Sequence, residues 1–182
     1  MEILTERLRL RELEESDAEA CNAYESDPEV VRYTSHGPRT LDESLAYIRK
    51  SRETLLAEPR GTFDFAVVLR ASGELIGRAG IHVSDAALRE GTIWYILNPA
   101  HWGEGYVPEA MRPLLAHGFG ALGLHRVTAD LDPANTASAR VAEKLGMRRE
   151  AHFVENAWIK GAWVDSVIYA LLEREWAAAH GA

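Results

Sequence analysis

The sequence predicts an α+β fold built on a mixed sheet. Apolar residues switch several times between the two-residue alternation of strands and the spacing of helices. The predicted elements run strand, two helices, three strands, then helix, strand, helix and two strands. At the centre, an apolar strand leads straight into a glycine-bearing turn and a helix. With 182 residues and no repeats, linker or low-complexity tract, residues 1–182 are expected to form one domain around one core.

In chain order, Leu4–Leu13 sets Leu8 and Leu10 between Arg7, Arg9 and Arg11, the pattern of a half-exposed strand. Ser16 and Asp17 read as a helix cap, followed by Ala18, Cys21 and Tyr24 on one face before Asp27-Pro28 stops the helix. After an irregular stretch from Pro28 to Pro38, Thr40 and Glu43 form a capping box, and Leu41, Leu45 and Ile48 recur at helical spacing. Thr62–Leu69 and Leu75–Val83 read as strands joined by a tight turn at Ala71-Ser72-Gly73. Thr92–Leu97, rich in β-branched and aromatic types, is a buried strand halted by Asn98-Pro99. A helix is predicted from Val107 to about Gly120, kinked by Pro113. Arg126–Asp130 is a short strand, and Asn135 opens a helix to Leu145 that Gly146 stops. Two long strands, about Met147–Trp158 and Trp163–Leu171, precede a short helix, Leu172–Ala179.

Composition excludes several function classes. A formal charge of −8 and a pI near 5.4 argue against a nucleic-acid partner, which needs a basic stripe. The single cysteine, Cys21, allows neither an intrachain disulfide nor a cysteine-based zinc site, and is expected to be a small apolar filler. The seven histidines show no metal-ligand spacing, so no metal is expected. No apolar run approaches the ~18 residues of a membrane span, and the acidic start of the sequence is unlike a signal peptide, so the expectation is cytoplasmic with no membrane partner.

The chemistry is concentrated in the central turn. A strand, a glycine-bearing turn and a helix N-terminus leave the amides of Gly103, Glu104, Gly105, Tyr106 and Val107 without intrahelical partners, with the helix dipole behind them. Such a place suits an anion, most often a phosphate. Pro108 fits the first helical turn, where a missing N–H costs nothing. An ordinary tight connection explains the two glycines equally well. No lysine follows Gly105, which excludes a Walker loop, and Pro108 stands where a dinucleotide fingerprint has its third glycine.

Several motifs, in this order and spacing, carry a family likeness. They are Thr5-Glu6-Arg7-Leu8-Arg9-Leu10-Arg11, Asn98-Pro99, Trp102-Gly103-x-Gly105-Tyr106-x-x-Glu109-Ala110, Asn135-x-x-Ser138 and Glu143-Lys144-Leu145-Gly146, with Asp165 and Tyr169 beyond. Across nearly its whole length the chain resembles the GNAT superfamily of acyl-CoA-dependent N-acyltransferases, in particular its RimJ/RimL-like branch.

The resemblance implies a largely antiparallel central sheet, splayed in the middle and flanked by helices, with acetyl-CoA as co-substrate. The pantetheine arm would lie in a V-shaped opening between the strand ending at Leu97 and the strand Arg126–Asp130, bonding backbone near Tyr95, Ile96 and Leu97. The pyrophosphate would sit on Gly103–Val107, with Trp102 ahead of it. The amide near Tyr95 would polarise the thioester carbonyl, Asn135 would hold the pantetheine arm, and Ser138 would give a proton to the departing sulfur. Ser138 as a mere cap or packing residue is the plain alternative. Arg140 and Lys144 are candidates for the nucleotide phosphates, although a solvated helix face explains them as well.

Three positions depart from the family pattern. Thr92 stands where a strand Glu is usual, Ala142 where many relatives have a Tyr, and Val107 where a small residue is common. The base is therefore sought among His82, Glu155, Asp165 and His152, which lie on or near strands that could line an acceptor cleft, with Trp163 and Trp158 at its rim. The acceptor implied is an amine, either a protein N-terminus or a small molecule. An α-amine, with a pKa of about 7.7–8, needs less help than a lysine at about 10.4, so the missing Glu favours an α-amine or other weakly basic amine. Fold alone leaves two other readings open: a non-catalytic acyl-CoA sensor, and a structural domain with a fortuitous turn. A homodimer is an expectation from the branch only.

Overall fold

The computed structural model describes residues 1–181. Its strands are β1 (Glu2–Leu4), β2 (Leu8–Glu12), β3 (Thr62–Leu69), β4 (Leu75–Asp85), β5 (Glu90–Leu97), β6 (Arg126–Leu131), β7 (Arg148–Ile159) and β8 (Ala162–Leu172). Its helices are α1 (Ala18–Glu25), α2 (Leu41–Glu53), α3 (Tyr106–Gly120), α4 (Thr136–Lys144) and α5 (Glu173–His180). The architecture is the α+β one expected, a single sheet ordered β1-β2-β3-β4-β5-β6-β8-β7. The β1–β2, β2–β3, β6–β8 and β8–β7 ladders are antiparallel. The parallel β5–β6 ladder runs only from Glu90 opposite Arg126 to Thr92 opposite Thr128, in keeping with the central splay that the resemblance implies.

Of the strand expected at Leu4–Leu13, only Leu8–Glu12 forms one strand, and Leu4 instead ends a separate β1 that was not expected. The chain reverses at Thr5-Glu6-Arg7 because the Thr5 amide donates to the Leu8 carbonyl at 2.9 Å, while the Thr5 hydroxyl accepts from the Leu8 amide at 3.0 Å. The apolar–arginine alternation belongs to β2 alone, whose Leu8 and Leu10 are fully buried.

The chain divides into two compact units, Met1–Gly80 with Trp94–Met111, and Ile81–Ile93 with Arg112–Ala182. In the first, Leu13, Cys21, Tyr24, Val31, Ile48, Ala66, Val68 and Ile96 make a continuous apolar core. Burial pushes the Cys21 thiol up to about 11, which agrees with a packing role. The Thr40–Glu43 capping box forms as expected. Asp17 behaves differently: its carboxylate takes two bonds from Arg11, both 2.7 Å, and one from the Glu14 amide at 2.8 Å, and makes no side-chain cap on α1. A forked guanidinium is a stronger partner than one frayed amide.

The same unit buries a charged cluster. Glu25, 1 % exposed, accepts from Arg78 at 2.6 Å and from Arg39 at 2.5 Å. Asp64 accepts from the Tyr47 hydroxyl at 2.8 Å and the Ser51 hydroxyl at 2.9 Å, with Arg78 Nη1 3.6 Å away. Burial pushes the Asp64 carboxyl up, against the lowering effect of Arg78. Burial alone would lower the Arg78 guanidinium, but Tyr47, Asp64 and Glu25 around it more than reverse this.

In the second unit, Leu114, Leu115 and Phe119 of α3 are buried, and the added Cβ of any residue at Gly118 would meet Ile81 at 2.6 Å. Asn135 caps α4, and Gly146 takes the left-handed conformation (φ +81°) after it, both as expected. The β7–β8 hairpin carries register shifts, between Arg149 and Ala151 and between Phe153 and Ala157.

The buried cluster gives a stability prediction. Glu25→Gln removes the carboxylate that pairs closely with buried Arg78 and with Arg39 and should destabilise the protein by about 3–5 kcal/mol, seen as a fall in the urea midpoint at unchanged m.

Candidate active site

The turn after β5 has the form expected of an anion site. Gly103 and Gly105 both adopt positive φ (+83° and +81°), which only glycine holds without strain. A Cβ built on Gly103 meets nothing within 4 Å, so the space before the turn is open. Helix α3 begins at Tyr106, with Pro108 in its first turn, and the Gly105 carbonyl accepts from the Glu109 amide at 3.3 Å. The first amides of α3 are thus the unpaired donors that the helix dipole makes attractive to an anion.

The turn is tied down by side chains from elsewhere in the same unit. The Trp102 indole N–H donates to the Leu97 carbonyl at 2.8 Å, so that carbonyl is already engaged. Glu109 accepts from the Thr5 hydroxyl (2.6 Å), the Arg7 amide (2.8 Å) and Arg7 Nε (2.7 Å). Arg7 also donates through Nη1 to the Glu104 carbonyl at 3.0 Å and lies over the Tyr106 ring, 4.3 Å from its centroid. Partial burial would raise the Glu109 carboxyl, but the bonds from Thr5 and Arg7 outweigh it and hold the group below its ordinary range. Behind the turn, a narrow cavity of about 10 Å³ is lined by Tyr95, Ile96, Leu97, Tyr106, Val107 and Ala110, close to the least that holds one water. The strand end and the turn named from the sequence therefore meet, and Val107 is one of the walls.

The second unit holds the other named residues. Asn135 Oδ1 accepts from the Ser138 amide at 3.1 Å, so this oxygen serves its own helix and the side-chain nitrogen is what Asn135 can offer a ligand. Ser138 is half-buried in the first turn of α4, while Arg140 and Lys144 are exposed one turn apart. Thr92 donates its hydroxyl to the Thr128 carbonyl at 3.3 Å, a strand contact with no basic group in it.

Among the acceptor-side candidates, Glu155, Trp163 and Asp165 fall in one hairpin, and His82 lies exposed on β4. Asp165 accepts from the Glu155 amide and from His152 Nε2, both at 2.8 Å, and these bonds hold its carboxyl below the ordinary range. A carboxylate so engaged is a poor proton acceptor and serves to fix the bulge, where Glu155 has a left-handed φ of +47°. Trp163 packs edge-on against Trp158, centroids 5.3 Å apart, with both about 60 % exposed.

One carboxylate was not singled out from the sequence. Asn156 Nδ2 donates to the Ser166 hydroxyl at 2.9 Å, and that hydroxyl bonds Asp130. Partial burial pushes the Asp130 carboxyl up, against the lowering by Ser166. The alternation in Arg126–Asp130 placed Asp130 on the face of Thr128, but nothing local announced the bond to Ser166 of the neighbouring strand.

Comparison with known proteins shows the family and the fold. The model of the acetyltransferase (GNAT) domain matches residues 7–148. The chain is 34 % identical over 182 residues to an uncharacterized N-acetyltransferase, YnaD, of Bacillus subtilis, covering 97 % of this chain and 99 % of that one. It is similar to the crystal structure of a GNAT-family acetyltransferase from Bacillus anthracis, with a TM-score of 0.85 at 33 % identity, covering 96 % of this chain and 99 % of that one. It shares its fold with a spermidine N-acetyltransferase from Vibrio cholerae crystallised with CoA and spermine, with a TM-score of 0.79 at 22 % identity over 94 % of this chain and 99 % of that one.

The lowered Glu109 carboxyl sets a pH dependence. Its stabilisation is complete above the unfolded carboxyl's pKa, about 4.3, and is lost as the pH falls through the lower folded value. The difference in urea stability between the wild type and Glu109→Gln should therefore be largest near pH 7 and shrink as the pH falls below about 4.

Proposed function

Since the chain belongs to the GNAT acetyltransferase family, we propose that residues 1–182 act as one RimJ/RimL-like domain that moves an acetyl group from acetyl-CoA to a primary amine by direct transfer. The acceptor is the α-amine of a protein N-terminus or a small-molecule amine of similar basicity. The observation that carries this reading is the turn Gly103–Val107: two glycines at positive φ, open space before them, and helix α3 starting at Tyr106.

When bound, acetyl-CoA supplies a thioester carbonyl for the amine to attack. The amides of Gly103, Glu104, Gly105, Tyr106 and Val107 bind the pyrophosphate, and Trp102 braces the turn against β5 through its bond to Leu97. Backbone at Tyr95, Ile96 and Leu97 aligns the pantetheine arm, and the Tyr95 amide stabilises charge developing on the carbonyl oxygen, a contribution that can reach about 2.7–4 kcal/mol. Asn135 holds the arm through its side-chain nitrogen. Ser138 faces the sulfur and offers a proton, a modest service because a thiol with a pKa near 8.5 leaves readily as thiolate. Arg140 and Lys144, exposed on α4, are assigned to the nucleotide phosphates as cations free to meet them.

His82, Glu155, Trp163 and Asp165 are assigned to the acceptor side, as groups that shape and orient rather than deprotonate. Support comes from Asp165, whose oxygens are engaged with Glu155 and His152, and from Thr92, whose hydroxyl is spent on a neighbouring strand. With the Asp165 carboxylate engaged and a hydroxyl rather than an acid at Thr92, the chemistry favours amines that are already partly neutral at pH 7–8.

The test is thiol release from acetyl-CoA with short peptides of varied first residue, spermidine and free amino acids. Release with at least one amine class is expected, with α-amine acceptors reaching full kcat/KM at lower pH than a lysine side chain. CoA binding without release from any acceptor would favour the sensor reading. Ser138→Ala should lower kcat by no more than about 10-fold while leaving CoA affinity unchanged.

A further inference from the structure

We infer that Arg7, anchored by Glu109, is a positioning residue for the diphosphate turn: it clamps the Glu104 carbonyl and thereby aims the Gly105 amide at the anion. The inference rests on the acetyl-CoA reading above and adds to it a residue from the opposite end of the sequence.

Arg7 stands in the reversal between β1 and β2, and four of its contacts converge on the turn. Nη1 donates to the Glu104 carbonyl at 3.0 Å. Nε donates to Glu109 Oε2 at 2.7 Å, and its own backbone amide to Glu109 Oε1 at 2.8 Å. Its guanidinium covers the Tyr106 ring, 4.3 Å from the centroid. The Thr5 hydroxyl adds a bond to Glu109 Oε1 at 2.6 Å, so the carboxylate is held from both sides of the reversal. Glu109 lies in the first turn of α3, the helix whose leading amides have no intrahelical partner.

The consequence follows from peptide geometry. In a planar trans peptide the C=O and the following N–H point in opposite directions. A guanidinium that holds the Glu104 oxygen on its own side turns the Gly105 N–H to the other side. Glycine at positive φ has no side chain to fix that plane, so the bond from Arg7 supplies what the residue itself lacks. Arg7 Nη2 runs alongside, 3.7 Å from where a Cβ on Gly105 would be.

Orientation, rather than attraction, is the main effect, because Glu109 compensates the Arg7 charge at 2.7 Å. A point charge at the same place would not reproduce it. The site needs the planar fork that reaches two oxygens on different elements, which a lysine lacks.

The test compares ligands with and without the diphosphate. Arg7→Ala, Arg7→Lys and Glu109→Gln are each expected to weaken CoA binding by calorimetry, and to raise KM for acetyl-CoA, by roughly 10-fold. The change in KM should be several-fold smaller with S-acetylpantetheine, which lacks the diphosphate. Arg7→Lys and Glu109→Gln, the smaller changes, serve should Arg7→Ala fail to fold. Two outcomes overturn the inference while leaving the acetyl-CoA reading intact: variants that bind CoA as the wild type does, or variants that lose both ligands equally. A wild type that neither binds CoA nor releases thiol overturns the reading itself, and this inference with it.

Discussion

The structure around the turn depends on one carboxylate. Glu109 takes three donors from Thr5 and Arg7 while sitting in the first turn of α3. An acid at a helix N-terminus is already favoured by the dipole, and here it also pins an approaching strand reversal. A turn that leaves its amides unpaired and its glycines bare cannot stabilise itself through those groups. Rigidity has to come from outside the turn. Glu109 and Arg7 supply it at the helix end, and the Trp102 indole supplies it at the strand end through the Leu97 carbonyl.

The buried Glu25–Arg78–Asp64 cluster shows the same logic in a different setting. Four elements or connections contribute to it: Glu25 from α1, Arg39 from the segment before α2, Asp64 from β3 and Arg78 from β4. Charges at such depth persist only when each has partners of opposite sign and good hydrogen bonds. Tyr47 and Ser51 of α2 add hydroxyl donors to Asp64, so that helix is held by polar contacts as well as by Ile48 in the apolar core.

Much of the fold was legible because its signals are local. Thr40 and Glu43 lie within one helical turn of each other, Asn135 caps the residues just after it, and Gly146 stops the helix just before it. The expected first strand began too early, and β1 went unread, because Thr5 closes the reversal between them with a side-chain bond to Leu8 that has no sequence period. The cap expected at Ser16-Asp17 went astray for a related reason. Asp17 is a good cap by type, but Arg11, six residues earlier, takes its carboxylate first. At the site, Asp165 was visible as a carboxylate on a strand. Its engagement with His152 and with the Glu155 amide required the hairpin's register and its bulge.

By itself the sequence determined the order of the elements, the glycines of the turn, the helix that starts behind them and the family likeness these carry. Each depends on backbone preferences or on residues a few positions apart. Only the tertiary structure decided which side chains support the turn: Arg7 with Glu109 across 102 residues, and Trp102 on the carbonyl of Leu97. It likewise paired Asp130 with the Ser166 hydroxyl on β8. The physical reason is that a hydrogen bond between distant residues leaves no periodicity in the chain. Its partners are chosen by sheet register and helix packing, which exist only once the chain has folded.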